Sequence, residues 1–240
     1  MKVNALNDKR CLVTGATGGL GREIALAMHR AGCRVFPTGR NSAMIDNLAK
    51  QLTSAVGHQP TGFTADLRKP TEVEALVAAV RKEFGTIDIL VNCAGVFPVH
   101  PFLETDKDTL DACMQVNVIA PFLLSRFFAG DMIKAGWGRI INIASSSAYA
   151  GFRNTTAYCT SKHAILGLSR ALHDEMKHYG VRVFCFSPGS IRTEMARVSA
   201  DQDSSTFLDP AEVAAFIVDA VSFDGTMITE EIRLNRMVMR

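Results

Sequence analysis

The sequence predicts an α/β fold, a doubly wound parallel sheet of about seven strands in three layers with helices on both faces. Three observations carry this. Short apolar β-type runs alternate with amphipathic helical periods along the chain. A glycine-rich turn, TGATGGLG, stands between the first run and the first helix. Several runs, ILVN and RIINI among them, are continuously apolar, as strands covered on both faces are.

Arg10–Val13 is the first strand, and the helix REIALAMHRAG follows the turn and closes at Gly32. Gly15, Gly19 and Gly21 let the backbone approach a pyrophosphate, whose charge the free N–H groups and dipole of a helix N-terminus stabilise. The strand from Cys33 runs into Thr38, Gly39 and Arg40. A carboxylate at that end binds the ribose hydroxyls of NAD and repels a 2′-phosphate, whereas a basic residue favours the phosphate. No acid lies between Val35 and Asn41, so Arg40 argues for NADP(H), with Arg22 or Asn41 as helpers; a solvated loop arginine is the plain alternative.

A helix over about 42–55, a strand from Gly62 closing at Asp66, and a helix with Pro70 in its opening turn continue the alternation. The buried strand IDILVNCAG ends in Asn92, Ala94 and Gly95. A long helix over about 106–135 carries Asn117 in apolar surroundings, with Pro121 four residues on to bend it. A buried asparagine there either holds a structural network or positions a water. GRIINIAS ends at Ser145, and the next helix, from Thr156, carries Tyr158 and Lys162 one turn apart on one face. An ammonium beside a phenol favours the phenolate and lowers a pKa near ~10 in free tyrosine. VRVFCFSPG is the sixth strand, broken by Pro188 and Gly189. The polar segment over about 190–208 has the length of a lid, Asp209 and Pro210 open a capped helix, and ITEEIRLN reads as an edge strand.

The composition excludes several function classes. Twenty-six basic and 24 acidic residues give a net charge of +2 without a long single-sign run, leaving no footprint for nucleic acid or an anionic membrane. The polar start MKVNALNDKR has no signal-peptide core, and no apolar stretch approaches the ~20 residues that span a bilayer. A single domain over residues 1–240, soluble and cytoplasmic, is the expectation. The six cysteines and six histidines form no zinc spacing, so no metal site is expected.

These residues in this order resemble the short-chain dehydrogenase/reductase family over essentially the whole chain. Its Thr-Gly-x-x-x-Gly-x-Gly turn stands as Thr14, Gly15, Gly19 and Gly21, its aspartate as Asp66, its Asn-x-Ala-Gly turn as Asn92, Ala94 and Gly95, and its Pro-Gly as Pro188 and Gly189. Asn117, Ser145, Tyr158 and Lys162 match its catalytic set, the serine by its spacing of thirteen from the tyrosine; Ser146 and Ser147 are neighbouring hydroxyls. The resemblance implies a Rossmann-like fold and hydride transfer between NADP(H), preferred over NAD(H), and a ketone or aldehyde, of 3-oxoacyl or sugar/polyol type. Ser145 would donate to the carbonyl oxygen, Tyr158 protonate it, Lys162 lower the tyrosine pKa and hold the ribose, and Asn117 hold a water. Thr17, Leu20, Leu67, Ile191 and Thr193 would complete the cofactor contacts. A homotetramer or homodimer is implied as well. The charged end IRLNRMVMR departs from the glycine-rich end of the fatty-acid-synthesis reductases, which weakens the 3-oxoacyl assignment. A catalytically silent NADP(H)-binding regulator is the competing reading, and such relatives usually lose the tyrosine or lysine, both present here. Arg153, Arg192 and Arg197 near the lid could meet an anionic group, or be solvated.

Overall fold

The computed structural model describes residues 5–53, 60–198 and 203–237. β1 (Arg10–Val13), α1 (Gly19–Arg30), β2 (Arg34–Gly39), α2 (Ser42–Gln51), β3 (Phe63–Thr64), α3 (Pro70–Phe84) and β4 (Ile89–Asn92) form the first half. α4 (Lys107–Met114), α5 (Ala120–Ala135), β5 (Gly138–Ile143), α6 (Thr156–Met176), β6 (Val181–Pro188), α7 (Pro210–Ser222) and β7 (Glu231–Leu234) form the second. Every strand pairing is parallel, in the order β3-β2-β1-β4-β5-β6-β7. The order reverses between β1 and β4, which opens a crevice at the strands' carboxyl ends.

Side-chain alternation builds the three layers. Cys11, Val13, Ile89, Val91, Ile141 and Phe184 face one way, onto Ile24 and Met28 of α1 and Ile217 and Val221 of α7. Leu12, Leu90, Ile140 and Val183 face the other, onto Leu76 and Val80 of α3 and Leu124 and Phe128 of α5. Two inward faces explain why the central strands read as unbroken apolar runs.

Element ends differ from expectation in a few places. β3 is only two residues long, so Asp66 lies just beyond the strand rather than closing it. The helix expected to 55 ends at Gln51, and its last two expected positions lie outside the described residues. The long helix is interrupted by a π turn, Gln115–Ile119, which contains Asn117. Pro121 has no N–H for the Asn117 carbonyl, so the α-helical bond between them cannot form and the helix widens just before the proline. Taken as one run, Lys107–Ala135 is 29 residues with a window of mean hydropathy 1.4, long and apolar enough to cross a membrane, contrary to expectation. Half of that window is buried in the protein, where Ala120, Leu124, Phe128 and Met132 pack on the sheet. α7 is capped as expected, the Asp209 carboxylate accepting from Ala211 N at 2.8 Å, and β7 forms the sheet edge beside β6.

Candidate active site

A cavity of about 720 Å³ follows the carboxyl ends of the strands. The glycine turn forms its floor at the switch point. Gly15 has φ +67°, and a Cβ there would come within 2.7 Å of the Ala94 backbone; a Cβ on Gly21 would lie 2.2 Å from the Gly15 carbonyl. Only glycine permits this close passage of the turn under β4 and back onto itself. α1 has no side-chain cap and no acid in its first turn, while α2, α4 and α7 are capped by Asn41, Asp106 and Asp209. Free N–H groups and an uncompensated dipole therefore face the cavity floor, and this cradle fits the pyrophosphate of a dinucleotide.

Most sequence-derived positions meet at this cavity: Gly15, Thr17, Gly19, Leu20, Gly21, Arg40, Asp66, Leu67, Ala94, Gly95, Ser145, Tyr158, Lys162, Pro188, Gly189, Ile191 and Thr193 all line it. Three do not. Thr14 is buried, its Oγ1 donating to the Val91 carbonyl and accepting from Cys93 N at 3.1 Å and Ala94 N at 3.2 Å. It joins β1 to the end of β4 from behind. Asn92 is buried too, donating to Asn142 Oδ1 at 2.8 Å. Asn117 is the third: Oδ1 accepts from Val96 N at 2.9 Å, and Nδ2 donates to Val96 O at 3.1 Å and to Ser161 Oγ at 2.9 Å. Both Nδ2 hydrogens are thus used within the protein, while Oδ1 accepts one hydrogen bond and keeps a second lone pair.

The electrostatics of Tyr158 and Lys162 also differ from expectation. Burial pushes the phenol up to about 12, opposed by the adjacent Ser145 hydroxyl, and the Phe97 ring packs edge-on at 4.5 Å. The Lys162 ammonium lies 5.5 Å from the Tyr158 ring centroid and donates to the Ile143 carbonyl at 2.8 Å. Burial lowers it to about 8. Desolvation penalises both charged forms, so the phenol keeps its proton at neutral pH rather than losing it to the lysine's field.

At the other end, Arg40 is exposed and lines the cavity, whereas both suggested helpers are engaged elsewhere. Arg22 pairs with Glu23 and Gln51, and Asn41 caps α2. Sequence reasoning missed Arg68. Its guanidinium forks onto Asp66, and these hydrogen bonds, against burial, hold the Asp66 carboxyl down to about 2. Only the turn after β3, closed by Lys69 N to the Asp66 carbonyl, brings the two together. The 190–208 segment is clipped at its base by Arg192 N to Leu208 O and Leu208 N to Ser190 O, both 2.9 Å. A Cβ on Gly19 would lie 2.6 Å from Thr193 Cγ2, so this segment rests on the glycine turn. Arg153 lines the cavity, Arg192 instead pairs with Asp209, and the Arg197 side chain lies outside the described residues. Among the described residues no cluster of His, Cys, Asp or Glu could hold a metal.

Fold and cavity together define a Rossmann-like dinucleotide-binding protein with hydroxyl, phenol and amine groups on one wall. The family model for short chain dehydrogenase matches residues 9–204, and the chain belongs to that family of oxidoreductases. It is 35% identical over 233 residues to D-threitol dehydrogenase of Mycolicibacterium smegmatis, covering 93% of this chain and 89% of that one. It is 34% identical over 240 residues to dehydrogenase/reductase SDR family member 4 of Bos taurus, covering 95% and 86%. A Shigella flexneri short chain dehydrogenase complexed with NADP superposes with a TM-score of 0.86 at 29% identity, covering 97% and 98%. Actinorhodin polyketide ketoreductase with NADPH gives 0.83 at 30% identity, covering 94% and 95%.

Proposed function

We propose that this protein is an NADPH-dependent reductase of a small ketone or aldehyde, acting as one dinucleotide-binding domain with residues 190–208 as its substrate loop. The observation that carries this reading is the convergence of Ser145, Tyr158 and Lys162 on the cavity whose floor is the uncapped N-terminus of α1. When bound, NADPH supplies the hydride. Ser145 donates a hydrogen bond to the substrate oxygen, and Tyr158, protonated at neutral pH, gives that oxygen its proton as charge develops on it. Lys162, tied to the Ile143 carbonyl, stabilises the tyrosinate left behind, and solvent returns the proton. Asn117 acts through position, bracing the Gly95–Val96 turn against α6. Arg40 supports NADP(H) over NAD(H): it stands exposed at the end of β2, where the ribose 2′-phosphate is read.

The NADP and NADPH in the two solved relatives accord with this preference. Exposed Leu110, Ile119 and Phe122 along α4, the π turn and α5 accord with self-association into a homodimer or homotetramer, which sedimentation would test. For the reaction, oxidation of NADPH and of NADH is followed by absorbance against ketones, aldehydes, oxo acids, sugars and oxoacyl thioesters, with Tyr158→Phe alongside. Turnover with NADPH that falls by about 10² or more in the variant is expected. Tight NADPH binding without turnover on any carbonyl would overturn the reductase reading in favour of a silent cofactor-binding protein.

A further inference from the structure

The charged residues lining the cavity fall on two sides of the switch point. Beyond β2 and β3 stand Arg40, Arg68 and Asp66, the last already held by Arg68. Beyond β5, β6 and β7 stand Arg153, Lys162 and Arg236, with no carboxylate among the described lining residues on that side. The sequence gives no hint that Arg236 belongs here. It follows β7 by two residues, and the parallel register of Pro188 with Leu234, continued by Gly189 N to Leu234 O at 2.8 Å, sets it beside the Pro188–Gly189 turn.

Arg236 is held by its side chain and Arg153 by the turn that carries it, and neither is in an ion pair among the described residues. Arg236 donates to the Thr206 hydroxyl, and its guanidinium lies 5.9 Å from the Phe207 ring centroid. Asp203 lies within electrostatic reach of Arg236 but makes no ion pair with it; its Oδ1 accepts from Ser205 N at 2.9 Å and Ser205 Oγ at 2.7 Å. Arg153 sits in a short turn fixed by Thr155 Oγ1 to the Phe152 carbonyl, by His100 N to the Asn154 carbonyl, both 2.8 Å, and by Asn154 at φ +62°. No ion pair among the described residues uses either arginine. A dinucleotide's anionic groups are accounted for elsewhere, the pyrophosphate at the glycine turn and a 2′-phosphate at Arg40.

We infer that Arg153 and Arg236 form an anion subsite at the substrate end of the cavity, and that the substrate is an oxo acid whose carboxylate they hold. Guanidinium forks match a carboxylate in geometry as well as charge, and a cavity wall of one sign gathers anions from solution. Phe97, Phe152 and Met195 line the same cavity and would cover a short carbon chain between carboxylate and carbonyl. The carbonyl part of this inference rests on the reductase reading; the anion subsite does not.

The test measures binding of straight-chain carboxylates, acetate to octanoate, and of their primary amides to the full-length protein with NADPH present, by calorimetry at low salt. At least one carboxylate is expected to bind about tenfold or more tightly than its amide. Arg153→Gln and Arg236→Gln each bring that ratio toward one, and Arg153→Lys retains part of it. The amide arm on the same variant separates a folding defect from loss of the anion contact. The proposal is overturned if no carboxylate exceeds its amide, or if the ratio survives both substitutions. Turnover run in parallel separates the two claims. Carboxylate preference with no carbonyl of any kind reduced removes the reductase reading and keeps the subsite; carboxylate preference with only neutral carbonyls reduced overturns the oxo-acid substrate; turnover confined to neutral carbonyls, without carboxylate preference, removes the subsite and keeps the reductase.

Discussion

Asn117 lies edge to edge against the backbone of Val96, its Oδ1 accepting from the Val96 amide and its Nδ2 donating to the Val96 carbonyl. The same Nδ2 donates to Ser161 Oγ, which donates in turn to the Tyr158 carbonyl at 2.7 Å. One side chain thus ties the turn after β4 to the first turns of α6. Asn117→Leu keeps the volume and strands the Val96 polar groups. A loss of about 2–4 kcal/mol in urea denaturation is expected, together with reduced turnover. A loss below about 1 kcal/mol would mean that the Val96 groups find other partners.

Lys162 sets a pH dependence of definite sign. Its folded-state pKa lies near 8, below the ordinary 10.5, so between these values the unfolded chain binds more protons. Stability relative to Lys162→Met therefore rises across that window by up to roughly 3 kcal/mol, at 1.36 kcal/mol per pKa unit. On the proposed mechanism, reductive kcat falls over the same range as the ammonium loses its charge. Denaturation at pH 7 and pH 10 and a pH–rate profile check both; a flat profile to pH 10 would contradict the role given to the ammonium.

Gly15→Ala and Gly21→Ala place a methyl where the backbone already passes. Each is expected to weaken NADPH binding by about 100-fold or more, because the turn must open and its N–H groups lose their aim. Titration of NADPH fluorescence reads the affinity, and circular dichroism verifies the fold. Gly130→Ala, where a Cβ meets nothing within 4 Å, serves as the control.

Arg40→Ala is expected to weaken NADPH about 10- to 100-fold and leave NADH nearly unchanged, as loss of one charge-assisted phosphate contact predicts. Equal effects on both cofactors would mean that Arg40 does not read the 2′-phosphate. Arg68→Ala frees the Asp66 carboxylate, whose pKa rises from about 2 toward its ordinary value, which NMR titration of the carboxyl follows.

What was legible in the sequence was what local chemistry enforces. The apolar runs became central strands because both of their faces are covered, the glycine turn could make its close approach with no other residue, and the fixed spacing of Tyr158 and Lys162 on one helix put both on the cavity wall. Asp209 and Pro210 likewise open a capped helix wherever that helix packs. The π turn at Asn117 was half visible, since Pro121 announces a lost hydrogen bond but not which way the helix will yield.

Only the tertiary structure decided the rest, because it depends on distances between segments far apart in the chain and on how much water they exclude. Burial, not the neighbouring ammonium, governs the Tyr158 proton. Val96 and Ser161 take up the Asn117 amide, Asp209 takes Arg192 away from the cavity, and the register of β7 on β6 brings Arg236 to it. The sequence by itself determined the fold, the glycine turn and the helix that carries Tyr158 and Lys162, which follow from periodicity and backbone sterics. Which side chains are desolvated, paired or left charged around that cradle was decided by packing, because electrostatic energies are set by surroundings that no local run of residues contains.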